Sequence, residues 1–167
     1  MWGSVSAELL LLRKRVGVWV LLGIWVLLAL IFGYVFPYIT YVSGGTFAGP
    51  DDGQSQLVDM LPATVIDNVI VGFPFFGGAL VLMLGVLAVG SEYGWGTLKT
   101  ILTQRPGRGR VFAAKLLALG LVLVPFVVFA FATAAVSSAL IAWREGAAMD
   151  WPSVAAIVEA MAAGWFV

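Results

Sequence analysis

The chain of 167 residues contains no cysteine and no histidine. That removes disulfides, thiol relays, haem ligation through imidazole and the usual zinc sites together. Charge is nearly as scarce, since Asp, Glu, Lys and Arg make up 11% of the residues and cancel to a formal net charge of zero. Soluble domains carry about a quarter charged residues. With 62% hydrophobic residues and a mean hydropathy of +1.04, a soluble globular fold is excluded. A phosphate-cradling loop is missing too: Lys99-Thr100 ends like one, but the positions that must be glycine hold Tyr93 and Leu98. No serine, aspartate or lysine has a histidine to activate it, and no acid pair sits at catalytic spacing inside an apolar run. Enzyme chemistry has nothing to stand on.

What is present is a series of long apolar runs separated by short polar ones, with no internal repeat. Residues 16–36 are uncharged, close to the span of about 20 residues that a bilayer core requires. They follow Arg13-Lys14-Arg15, but the run is too long for a signal peptide and ends in aromatics rather than a cleavage site. Tyr34, Tyr38 and Tyr41 cluster at its far end, where amphipathic rings favour the headgroup level. Pro37 and Gly44-Gly45 are expected to release the chain into an outer loop, 37–67. Within it, Asp51-Asp52 lacks the third carboxylate of a metal-binding pattern, because position 55 is Ser, and reads as a solvent turn. Gln54 to Leu61 suggest one or two helical turns.

A second span is expected at 69–90, punctuated by glycines that favour close helix packing, and a third at 111–143 with a kink at Pro125. Lys115 is expected to snorkel from the third span to the interface. Ala130, Ala134 and Ser138 form a row of small residues that predicts tight helix contact, as do Ala135 and Ala139. Residues 144–150 form a short turn between Trp143 and Trp151. Residues 151–167 open a fourth apolar segment that stops partway, as a fragment or a truncated gene would. Residues 1–15 space Trp2, Val5, Leu9 and Leu12 as a weakly amphipathic helix, with Ser4 or Ser6 as its cap and basic residues at its end. A short interfacial helix and a simple extension of the first span both fit them.

Arg13, Lys14, Arg15, Lys99, Arg105, Arg108, Arg110 and Lys115 fall on one side of this layout, and Arg144 alone on the other. The bias predicts a cytoplasmic amino terminus and a cytoplasmic 91–110 segment. In that segment Trp95, Leu98, Ile101 and Leu102 share one face of a short amphipathic helix, broken by the Arg-Pro-Gly-Arg-Gly-Arg run after it. The basic residues there are read as setting topology and touching lipid headgroups rather than binding nucleic acid. Glu159 is the one acid within an apolar segment, roughly 12 Å along a helix entered at Trp151. Two readings of it stand level: a functional intramembrane acid, or a carboxylate facing an outer vestibule or a helix interface.

Glu92-Tyr93-x-x-Gly96-Thr97-Leu98-Lys99-Thr100-Ile101-Leu102-Thr103, followed by Arg108 and Lys115, resembles the cytoplasmic loop of type-2 ATP-binding-cassette (ABC) transporter permeases. One departure is that a proline often found three before the arginine is Arg105 here, with Pro106 one later. The resemblance covers the whole chain in layout, with 92–115 its specific part. It implies an all-α integral membrane protein: a polytopic transmembrane helix bundle of three full spans and the start of a fourth, with a short cytoplasmic coupling helix. It implies a permease subunit, an exporter, in the plasma (inner) membrane of a prokaryote. Gly96, Thr97, Lys99 and Arg108 would meet a separate ABC ATPase subunit, with Glu92 anchoring the helix. ATP would be bound by that partner, with no cofactor in this chain, and a second permease subunit would complete the pathway. Two other classes compete: a non-transporting anchor or assembly subunit that recruits a cytoplasmic partner, and a membrane enzyme whose catalytic residues lie outside this sequence.

Overall fold

A computed structural model describes residues 2–44, 53–94 and 108–166, and these are helical nearly throughout. In chain order they form α1 (Trp2–Lys14), α2 (Val16–Leu30), a π turn (Ile31–Val35), α3 (Phe36–Ser43), α4 (Gly53–Asp59), a 3-10 turn (Pro62–Thr64), α5 (Val65–Gly94), α6 (Arg108–Glu145) and α7 (Val154–Phe166). Val16–Ser43 and Val111–Glu145 are each long and apolar enough to cross a membrane. The expected second span meets the same test only when Pro62–Gly72 and Phe76–Gly90 are taken together as one bent span. α7 is a shorter apolar helix.

The described residues divide into two compact units. One comprises Met1–Gly23 with Gly78–Pro125, the other Ile24–Gly77 with Phe126–Val167. In the first, α1 and α2 are separate helices joined at Arg15, whose backbone N–H still bonds the Leu12 carbonyl at 3.1 Å. Trp19 Nε1 donates to the Arg13 carbonyl at 2.8 Å, satisfying an acceptor that the end of α1 leaves over. α1 begins at Trp2, so Ser4 and Ser6 lie inside it and do not cap it. Ser6 Oγ bonds back to the Gly3 carbonyl instead. Val5 and Leu12 are buried, while Leu10 and Leu11 are exposed.

In the second unit the first long helix does not stop at Pro37. It passes through the π turn and α3 and ends at Gly44, which takes the left-handed conformation (φ +61°) that glycine adopts without strain. In α-helical register residue 37 would donate to the Gly33 carbonyl, and proline has no N–H to give. The wider π turn just before it relieves the crowding of the proline ring, and Asn68 Nδ2 from α5 donates to that carbonyl at 3.3 Å. The same Nδ2 reaches the Asp59 carbonyl at 3.0 Å. Thr64 Oγ1 donates to the Val58 carbonyl at 2.7 Å, so the open end of α4 is closed by side chains. α5 starts at Val65, before the expected 69, and holds Asp67 in its first turn, where the helix dipole favours a carboxylate.

Because the helix continues, Tyr34, Tyr38 and Tyr41 fall at i, i+4 and i+7 on one face. That face turns toward α6: Tyr34 is buried and its hydroxyl bonds Ser138 Oγ at 3.1 Å. Tyr34, Met60, Val65 and Ala134 form the core of this unit, with Tyr38, Tyr41 and Val69 packed on it. Ala130, Ala134, Ser138 and Ala142 are all buried on α6, so the small-residue row is a packed face as expected. α6 runs through Pro125 and ends at Gly146 (φ +65°), with the Ala147 N–H returning to the Ala142 carbonyl at 2.9 Å. The next helix starts at Val154 rather than 151, because Ser153 caps it: Ser153 Oγ accepts the Ala156 N–H at 3.2 Å.

Ser138→Ala strands the buried Tyr34 hydroxyl, at a cost of about 1 kcal/mol or somewhat more. Tyr34→Phe combined with Ser138→Ala should cost less than the two singles summed, by about 0.6 kcal/mol for a hydrogen bond between membrane helices. Unfolding of the purified protein in mild detergent measures all three, and strict additivity would show that the hydroxyls do not interact.

Candidate functional site

The polar segment singled out in the sequence is entered by α5 and left by α6. Glu92 lies in the last turn of α5 and Arg108 opens α6, while Gly96, Thr97 and Lys99, with the helix expected around them, lie outside the described residues. The side chains of Glu92 and Arg108 lie outside the described set as well. The residues on either side of the segment can be built up in detail.

Lys115 sits two turns into α6, about 10 Å from its start at 1.5 Å per residue. Its side chain is 9% exposed, and Nζ donates to Glu8 Oε1 of α1 at 2.9 Å. An ammonium withdrawn from water needs a counter-charge, and α1 provides one because Glu8 lies between the buried positions Val5 and Leu12 on its inner side. A second tie joins α2 to α5: the Arg15 guanidinium donates through Nη1 to the Leu87 carbonyl. Gly17 lies against the same residue, where an added Cβ would stand 3.2 Å from Leu87 Cδ1. Within this unit α1 is therefore bonded to α6, and the start of α2 to α5, close to the ends that flank 95–107.

The opposite ends of the first and third long helices carry a different cluster. Glu145, the last residue of α6, accepts from the Tyr38 hydroxyl at 2.8 Å through Oε1. It also accepts a longer, weaker bond from Tyr41 at 3.3 Å through Oε2. Arg144 lies over the Tyr38 ring at 5.5 Å and 4.0 Å from Glu145 Oε1. Glu159 belongs to neither group. It is exposed on α7.

Sequence reasoning did not assemble Glu8 with Lys115 or Glu145 with the tyrosines. Each pair is separated by more than a hundred residues, and helical periodicity carries no information at that range. The i, i+4, i+7 spacing of the tyrosines was the available signal for the second group.

Replacing Lys115 with Met should cost roughly 3 kcal/mol, the low end for breaking a buried ion pair, since Glu8 keeps 19% side-chain exposure. Adding Glu8→Leu should recover most of that loss, because it removes the uncompensated carboxylate. Melting temperatures of the single and double variants decide it: a double variant no better than Lys115→Met would mean the pair contributes through packing alone.

A family model described as ABC-2 family transporter protein matches residues 12–166. No curated protein and no solved structure matches the chain. The matched region takes in every described helix from α2 to α7 and the whole of the 91–110 segment. With its long apolar helices, the chain belongs to the ABC-2 transporter family and is a multi-pass membrane permease of an ABC transporter.

Proposed function

We propose that this permease is driven by a separate ABC ATPase subunit docking on residues 91–110, that it works with a second permease subunit, and that it exports its substrate. Gly96, Thr97 and Lys99 form the contact, Glu92 fixes the segment to the end of α5, and Arg108 fixes it to the start of α6. The amino terminus and this segment face the cytoplasm of a prokaryotic cell, on the strength of eight basic residues against one. ATP is held by the partner, and this chain supplies no catalytic group or cofactor.

The observation that carries this reading is the bracing around the segment. A push on a loop moves spans only if the helix ends beside it are tied to the rest of the bundle. Here the Lys115–Glu8 pair and the Arg15–Leu87 bond tie them within one compact unit. Rigid-body motion of packed helices is then available as the response to ATPase closure. Glu159, exposed on its helix, is assigned to a hydrated outer surface in this reading and takes no part in coupling.

Affinity purification of the full-length subunit from its host membrane tests the assignment. An ABC ATPase should co-purify with the natural sequence and be lost with Lys99→Glu. With Gly96→Trp, any ATPase retained should hydrolyse ATP without driving transport. Recovery of the ATPase unchanged in both variants would place the docking surface elsewhere. Recovery of a different cytoplasmic protein in its stead would make the chain an anchoring subunit.

A further inference from the structure

A cavity of about 370 Å³ lies within the unit Ile24–Gly77 with Phe126–Val167. Its wall is built from the end of α2 and the π turn, the first turns of α5, and the middle of α6, with Trp25, Phe32, Val69, Phe76 and Ala130 among the residues lining it. We propose that this cavity lodges the hydrocarbon chain of a bilayer lipid, which enters sideways past Phe32, Val71 and Gly72.

The first argument is chemical. Four lining residues carry polar side-chain groups, and each of the four makes a hydrogen bond inside the protein. Trp25 Nε1 donates to the Phe126 carbonyl at 3.0 Å, Tyr34 shares its bond with Ser138, and Thr133 Oγ1 donates to the Phe129 carbonyl at 2.7 Å. Asn68 Nδ2 serves the Gly33 and Asp59 carbonyls, and its Oδ1 lies over Gly33. A sugar, nucleotide or peptide entering here would give up its bonds to water and be offered no donor in return. A hydrocarbon chain gives up nothing.

The second argument is position. Phe32 and Val71 are 50% and 65% exposed, and Gly72 is exposed beside them. Phe32 lies on a helix long and apolar enough to cross a membrane, and Val71 and Gly72 lie on the bent pair that passes the same test as one span, so in a bilayer core the medium around them would be hydrocarbon. An apolar cavity does not fill with water, and within a bilayer core the material at such a mouth would be lipid. The volume falls at the lower end of the roughly 300–1,000 Å³ found for small-molecule sites, room for one chain without its headgroup. The π turn supplies part of this wall, and such irregular helical turns concentrate at functional sites. None of these residues belongs to 91–110, so the proposal stands or falls independently of ATPase docking.

Reconstitution of the full-length subunit into lipid nanodiscs doped with a phosphatidylcholine carrying a mid-chain diazirine tests it. After irradiation, peptide mass mapping should find adducts concentrated on Trp25, Val69 and Ala130, in excess of those on outward-facing residues such as Leu82. Gly72→Phe should abolish that excess: a Cβ there meets nothing within 4 Å, and Gly72 lines the cavity, so the substitution adds bulk at its wall. Gly23→Phe has the same free space but does not line the cavity, and should keep the excess. Val71→Trp is a second plug if Gly72→Phe does not fold. The proposal is overturned if cavity labelling never exceeds that of Leu82, if it survives both plugs, or if Gly23→Phe abolishes it equally. Cavity residues and Val71 unlabelled together would mean that another protein segment covers the mouth, and would overturn it as well.

Discussion

Pro37 removes one backbone donor from a helix long and apolar enough to cross a membrane, and the contacts around Gly33 in the unit Ile24–Gly77 with Phe126–Val167 answer that loss. In lipid an unpaired carbonyl has no water to turn to. The chain answers with a π turn ahead of the proline and with Asn68 from the next long helix, whose amide reaches the Gly33 carbonyl. Asn68 can approach because residue 33 has no side chain: a Cβ there would stand 3.2 Å from Asn68 Oδ1. One missing proton thus selects the glycine, the asparagine and the helix pairing, and the same π turn carries Phe32 and Tyr34 to either side of Gly33.

The unit Met1–Gly23 with Gly78–Pro125 solves a different problem, that of placing charge beside apolar helices. Lys115 is held by Glu8, and Arg15 by a backbone carbonyl of α5. Neither tie is a strong net contributor to stability, since the cost of drying the charges offsets most of the attraction. Their value is geometric. A hydrophobic contact would tolerate sliding, whereas an ammonium bonded to a carboxylate at 2.9 Å favours one register of α1 against α6.

Much of this was legible in the sequence. The apolar runs gave the long helices, and the row Ala130, Ala134, Ser138 gave the packed face of α6. The outer end of the first helix was misjudged because Pro37 and its neighbours read as a stop, and only a partner from α5 shows why it is not one. With the helix ended there, the common face of the tyrosines toward α6 was not legible. The pairing of Lys115 was missed for a related reason: Glu8 lies on the far side of two apolar runs in sequence. The start of α7 was set too early because Ser153 outweighs Trp151 and Pro152 as a starting signal once its hydroxyl is seen to cap. The proposed ATPase contact rests on the motif at Gly96 to Lys99, which the described residues do not reach.

The carboxylate at the end of α6 has a kinematic consequence. Both oxygens of Glu145 are held by hydroxyls one turn apart on α3, one firmly and one at longer reach, with Arg144 stacked across the nearer ring. Two attachment points on one rigid helix remove a hinge as well as a gap, because rotation about either bond stretches the other. Within this unit α3 and the end of α6 therefore move as a single lever arm.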